Sequence, residues 1–174
     1  MPNRKIIELQ RVFTSRLAVL EHVLDIGEKH FGDAGAFMDK RLAEDMLPFG
    51  AQIAFACNAP RGFSQWCAGQ PIDNLAPDGI VSIEQARAAI AQTKNLVSAI
   101  AVDDAQLDRV KRIGLGPGRY CELPGHQYAA DYLLPNLYFH VTAAYAILRL
   151  LGAPLGKSDY LGFLAPFVQQ ESAK

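Results

Sequence analysis

Side chains able to do acid–base or metal chemistry are few in this sequence, and they lie far apart. There are four histidines, His22, His30, His126 and His140, with none between residues 31 and 125. Cys57, Cys67 and Cys121 are the only thiols, and no C-x-x-C spacing marks a metal knuckle or a redox pair. A reactive thiolate needs a helix N-terminus or a cationic neighbour. Cys57 falls inside an apolar helical run and Cys67 near its end, so both read as packing residues. Cys121 is the thiol expected to be reachable. Spacings typical of phosphate loops, nucleophile elbows and zinc proteases are absent, and Gly114-x-Gly116-x-Gly118 reads as a turn.

His140 stands apart from the other three histidines. It lies within the uncharged stretch 132–148, four residues after Asn136. Positions i and i+4 share a helix face, so an amide and an imidazole project side by side. A buried polar group without a partner costs about 1–3 kcal/mol, which leaves two readings. Either the pair is satisfied within the core, by Gln52 on the second helix or by a tyrosine hydroxyl, or Asn136, His140 and Gln52 line a pocket for a small polar ligand, with Tyr132 on its wall. In the second reading His140 is the best candidate for a general base, being the only inward group that titrates near neutral pH. His22 falls opposite Leu20 and should face solvent. His30 suits the carbonyl end of a helix, and His126 should be exposed.

A metal site in a helical bundle needs about three side-chain ligands on facing helices. His140 supplies one, and the second and third helices carry no histidine. Their acids, Glu44, Asp45, Glu84, Asp103 and Asp104, gather near helix ends. No cofactor is therefore expected, a divalent metal being the disfavoured alternative.

The elements that must position these residues are mostly helical. Ile6, Leu9, Phe13, Leu17, Leu20 and Leu24 recur at steps of three and four, predicting a first helix over 4–31. A second helix is expected from Glu44–Asp45, with Pro48 in its first turn and a kink or break at Pro60 before it resumes through Trp66. The loop from Gly69 to Gly79 is long enough for a crossover. Ser82 and Gln85 form a capping box, opening a third helix whose face is Ile83, Ala86, Ile90, Thr93, Val97 and Ile100. Residues 109–123 read as a β-hairpin around Gly116-Pro117-Gly118. A last helix spans 125–151 and should bend at Pro135. Its inner side is expected to hold Tyr128, Tyr132, Asn136, Phe139, His140, Ala143, Ile147 and Leu150. The stretch from Leu155 to Pro166 is apolar enough to pack back on the bundle. The fold class predicted is all-α: a four-helix bundle, one domain over 1–174, with a crossover after the second helix and a small hairpin before the last.

Composition agrees with such a bundle and narrows the function. Of 174 residues, 50% are hydrophobic and 20% charged, enough apolar surface to fill a core and too much for a disordered chain. Net charge is −1 and no basic stripe appears, so nucleic acid is not an expected partner. The longest uncharged run is shorter than the ~20 apolar residues a bilayer span needs, so no membrane association is expected. Sparse cysteines, and charges at Arg4, Lys5 and Glu8 where a leader would be apolar, point to a cytoplasmic setting.

Two longer stretches carry a resemblance. One is Asp45-Met46-Leu47-Pro48-Phe49, continuing to Gln52 and Ala56-Cys57. The other runs from Pro135-Asn136-Leu137-Tyr138-Phe139-His140 through Thr142, Tyr145 and Arg149 to Pro154-Leu155-Gly156-Lys157 and Asp159-Tyr160-Leu161-Gly162. Together they resemble an uncharacterised bacterial domain-of-unknown-function family within the DinB/YfiT-like superfamily. The resemblance implies a DinB-like four-helix bundle. It also implies an ancestral divalent-metal site of three histidines, one on the second helix and two spaced by four on the last, and it brings in thiol-dependent transferases and isomerases among the relatives. His140 matches the second histidine of the last-helix pair. Asn136 stands where the first would be, and Gln52 is the nearest equivalent on the second helix, so the metal triad is not intact. A small polar or thiol-containing molecule, bound without a firmly held metal, is the ligand class expected.

Self-association is expected as well. Phe55, Phe63 and Trp66 fall off the core stripe of the second helix, and Tyr138 and Tyr145 fall on the outer side of the last. An exposed aromatic patch of this kind predicts a homodimer, unless a C-terminal segment carrying Tyr160, Leu161, Phe163 and Phe167 covers it.

Overall fold

The computed structural model describes residues 3–170. Four long helices, α1 (Arg4–Phe31), α2 (Phe49–Cys67), α3 (Ile83–Ser98) and α5 (Leu134–Leu150), make the bundle. Between α3 and α5 stand an antiparallel hairpin of β1 (Val110–Gly114) and β2 (Tyr120–Pro124), a short α4 (Gly125–Gln127), and a π-helical turn over Tyr128–Leu133. A short α6 (Lys157–Tyr160) and a 3-10 turn over Gly162–Phe167 follow α5.

Contacts between side chains set the helix directions. Gln10 on α1 donates to the Val97 carbonyl near the end of α3 at 2.8 Å. Arg87, early in α3, pairs with Asp25 late in α1 at 2.6 Å. These two helices are therefore antiparallel. The carbonyl of Ile80, just before α3, lies against Gly50 in the first turn of α2, while Leu96, Ala99 and Ile100 border Ser64 and Cys67 at its end. α2 and α3 thus run parallel, and residues 68–82 form the crossover that the turn residues between Gly69 and Gly79 predicted. Side chains of α2 strap it down: Asn58 exchanges two bonds with the backbone of Leu75, at 3.0 and 2.8 Å, and Gln65 accepts from the Asp73 N–H at 3.0 Å.

α2 is the buried centre, with only Phe55 and Asn58 not fully covered. Its start differs from expectation. Pro48 occupies the N-cap in extended geometry (ψ 167°) and the helix begins at Phe49, not at Glu44. Leu47 precedes a proline and is steered out of the helical region, so the helix does not extend upstream into the turn at Ala43–Met46. The helix also runs unbroken through Pro60. Burial on every side holds it, and the Ser64 hydroxyl donates to the Pro60 carbonyl at 2.8 Å.

The first helix, the capping box at Ser82 and Gln85, and the hairpin fall where the sequence places them. On the outer side of α3, Arg87 and Lys94 bridge to Asp25, Glu28 and Glu21 of α1. The last helix differs in phase. Leu137, Val141, Ala144 and Leu148 face the core, while Phe139 and Leu150 are 56% and 66% exposed. Pro135 lacks an N–H, and the chain absorbs this with the widened π turn just before it. The extra residue turns everything downstream by roughly 100°, enough to carry Phe139 and Leu150 outward.

The same rotation bears on the aromatic patch. Phe63 and Trp66 are buried in the chain's own core, and Phe55 is half-buried against His140. Tyr138 lies beside Arg16, whose guanidinium stacks 3.4 Å from the Phe163 ring. Tyr145 meets Tyr160 edge-on at 5.9 Å. The C-terminal segment therefore packs along α1 and the side of α5, and not across α2.

Candidate functional site

The site begins with a backbone group at the entrance to α2. With Pro48 at the N-cap, the Leu47 carbonyl is left free, and it accepts from Gln52 Nε2 at 2.8 Å. Gln52 is 1% exposed, so this bond fixes which end of its amide points which way. Oε1 must then accept, and it lies 2.8 Å from His140 Nδ1. An amide oxygen cannot donate, so Nδ1 carries the proton and Nε2 carries the lone pair. The core partner of the imidazole is Gln52, one of the two the sequence offered. One ring nitrogen is bonded in the core and the other is not.

Nε2 is turned to a half-open cavity of about 290 Å³ lined by α2, the π turn, α5, the crossover and the hairpin. No protein group among the described residues bonds to it, and it is not sealed from the cavity. Asn136 and Tyr132 also line this space. Asn136 is tied back by its own helix, its Nδ2 donating to the Tyr132 carbonyl at 2.6 Å. That leaves its Oδ1 as a second acceptor. Gln52 itself stands behind His140 and does not line the cavity.

Aromatic rings frame the site. The Phe55 and Phe139 rings lie 5.1 Å from the imidazole, and Tyr132 stacks on Tyr128 at 5.9 Å. Burial lowers the His140 pKa from 6.5 to about 4, so the ring is neutral at pH 7. Burial also pushes the Tyr128 hydroxyl up. Gly62 leaves room for that hydroxyl, which lies 3.5 Å from where a Cβ would stand.

Several lining residues were not legible beforehand: Asn58, Ile72 and Asn74 from the α2 side and the crossover, and Lys111 to Gly114 of β1. Only the alternation along β1 hints at them, with Lys111 and Ile113 the less exposed of its residues.

The three positions that the resemblance relates to a metal triad hold one imidazole and two amides. Gln52 turns its oxygen to His140, and Asn136 Nδ2 is bonded to backbone. This donor set does not fit a three-histidine metal centre. Among the described residues no cluster of three or more histidines, cysteines or acids could hold a metal ion.

The remaining chemical groups lie elsewhere. His22 is exposed and pairs with Asp159 of α6 at 2.9 Å, a contact that holds the Asp159 carboxyl below its usual range. His30 lies in the last turn of α1 and His126 is exposed. Cys57 and Cys67 are buried, each thiol pushed up to about 12 by desolvation, while Cys121 is partly accessible. No helix of the described residues is long and apolar enough to cross a membrane.

Comparison with known proteins places these features in a family. No functionally curated protein matches the chain. Among solved structures, the crystal structure of a DinB family member protein from Shewanella denitrificans is similar, with a TM-score of 0.70 and 25% identity. The match covers 97% of this chain and 93% of that one. The family model described as "Domain of unknown function (DUF1993)" matches residues 9–161. A bundle with a DinB-type neighbour, matched over most of its length by that model, belongs to the DUF1993 family.

Proposed function

We propose that this protein binds a small polar molecule in the cavity beside His140, with Nε2 acting as a neutral hydrogen-bond acceptor. The observation that carries this reading is the relay from the Leu47 carbonyl through Gln52 to His140. Such a relay fixes one tautomer and aims an unpaired lone pair at the half-open cavity. Thiol-containing molecules fall within the ligand class, since an S–H can donate to Nε2. Asn136 and Tyr132 belong to the binding set, and Gln52 acts through His140 as a positioning residue. We read the site as a degenerate metal centre. Transferase or isomerase chemistry with His140 as base is less well supported, because an imidazole titrating near 4 is a weak base at neutral pH.

Metal analysis of purified protein, with a thermal-shift screen of divalent metals, low-molecular-weight thiols and neutral polar molecules, tests the reading. An organic ligand whose stabilisation disappears in His140→Phe supports it. Stoichiometric metal, or stabilisation indifferent to His140, overturns it. A homodimer remains a proposal on other surfaces, since Phe63 and Trp66 are occupied within the chain. Light scattering at micromolar concentration supports it with a mass twice 19.0 kDa and refutes it with 19.0 kDa.

A further inference from the structure

Resting on the reading of this cavity as a ligand site, we infer that its ligand carries an anionic group at the hairpin end and hydrogen-bond donors at the α5 end. The two ends of the cavity differ in chemistry. At the α5 end stand two acceptors with no protein partner among the described residues, His140 Nε2 and Asn136 Oδ1. A ligand amide or hydroxyl satisfies them, whereas a carboxylate would be repelled by both lone pairs.

At the opposite wall stands Lys111. It alternates with exposed neighbours along β1, so its side lies with Ile113 toward the bundle. Among the described residues it has no ion pair and no side-chain hydrogen bond. Among the described residues the cavity lining contains no carboxylate. Nearby acids are directed elsewhere. Asp73, between the lining residues Ile72 and Asn74, turns outward with an 84% exposed side chain toward Arg61 at 3.9 Å. Glu122 sits opposite Arg112 in the hairpin register. The Arg112 guanidinium, also on the cavity lining, lies over the Tyr120 ring at 3.7 Å on the exposed side of β1, so Lys111 is the cation that leans toward the bundle.

A half-open pocket with an unpaired ammonium on its wall and no neutralising acid among its described lining residues favours an anion there. The aromatic rings of Phe55, Tyr128 and Tyr132 between the two ends suit a flat or apolar middle section. The ligand class is thus a small molecule with a donor such as an amide N–H, an apolar centre, and a carboxylate or phosphate.

para-Acetamidobenzoate has this layout: an amide N–H, a phenyl ring and a carboxylate in line. para-Acetamidobenzamide is its neutral match, and para-acetamidophenyl phosphate tests the other anion. Each is titrated into ¹⁵N-labelled full-length protein while the amides of Gly62 and Gly114 and the His140 ring nitrogens are followed. At least one anion should shift these signals with an affinity about tenfold above that of the neutral amide. Lys111→Met should abolish that advantage and Lys111→Arg restore it. Whether the carboxylate or the phosphate binds tighter assigns the anionic group. Equal binding of all three compounds, or an advantage that survives Lys111→Met, overturns the inference and leaves the pocket reading intact. No shift at the cavity signals with any of the three up to about 10 mM overturns both.

Discussion

Stability should fall with acidification through one group, and the direction follows from the site. His140 has a folded pKa of about 4 against 6.5 when free. The unfolded chain therefore binds a proton at His140 before the folded chain does. Between those two values each drop in pH favours unfolding, and stability rises again as pH climbs from 4 to 6.5. Above 6.5 both states are neutral and the contribution is complete; below 4 both are charged and the loss is complete. At about 1.4 kcal/mol per pH unit, the full displacement corresponds to about 3 kcal/mol. Nε2 faces a water-accessible cavity, and screening there reduces the expected loss to about 2 kcal/mol. His140→Gln is the comparison protein, since its amide keeps a donor for Gln52 Oε1 and removes the titration. Urea unfolding of both proteins from pH 7 to pH 4 isolates the term, because the carboxylates titrate alike in each. The wild-type advantage should shrink by about 2 kcal/mol across that range. Parallel pH profiles, or a His140 ring titrating near 6.5 by NMR, would refute the burial argument.

Gln52→Leu should cost about 2 kcal/mol, because it strands the His140 Nδ1–H in the core and unpairs the Leu47 carbonyl; for a chain of this size the melting temperature should drop by roughly 4–8 °C, and no change would mean that the relay is not formed. Gly50→Ala should destabilise by about 2 kcal/mol or more, since the new Cβ would fall 2.1 Å from the Ile80 carbonyl; an unchanged urea midpoint would place the crossover away from α2. Thiol labelling of the native protein followed by mass spectrometry should modify Cys121 first, with Cys57 and Cys67 reacting only on unfolding. Early labelling of Cys57 would contradict the packing of α2 on α3.

Helix positions were legible in the sequence because local signals there agree with burial. α1 carries a clean apolar period and ends at Gly32 in the left-handed conformation (φ +69°). α3 starts at a reciprocal capping box whose Gln85 side chain also accepts from Val81. Signals from proline were read less well, since proline states only what the backbone cannot do. At Pro60 a buried environment overrides the missing bond. At Pro48 the residue caps a helix rather than entering it, and at Pro135 the remedy is a π turn whose extra residue no periodicity announces. That extra residue explains why His140 is buried as expected while its neighbour Phe139 is exposed.

The site was legible to the extent that it is helical. An amide four residues before an imidazole, and a glutamine on the facing helix, were visible as a set. Their division of labour was not, because it depends on which way one buried amide points, and that is decided by the Leu47 carbonyl freed at Pro48. Lys111 was invisible as a site residue for a different reason. Nothing in a five-residue strand says which element it will lean on, and the approach of the hairpin to α5 is set at its far end. There a Cβ on Gly125 would fall 2.6 Å from the Trp66 ring and 3.0 Å from the Gln106 carbonyl. The absence of that Cβ lets the start of α4 sit against Trp66 of α2 and the turn at Gln106 and Leu107, so one glycine at the hairpin's exit helps to bring Lys111 to the cavity that His140 also lines.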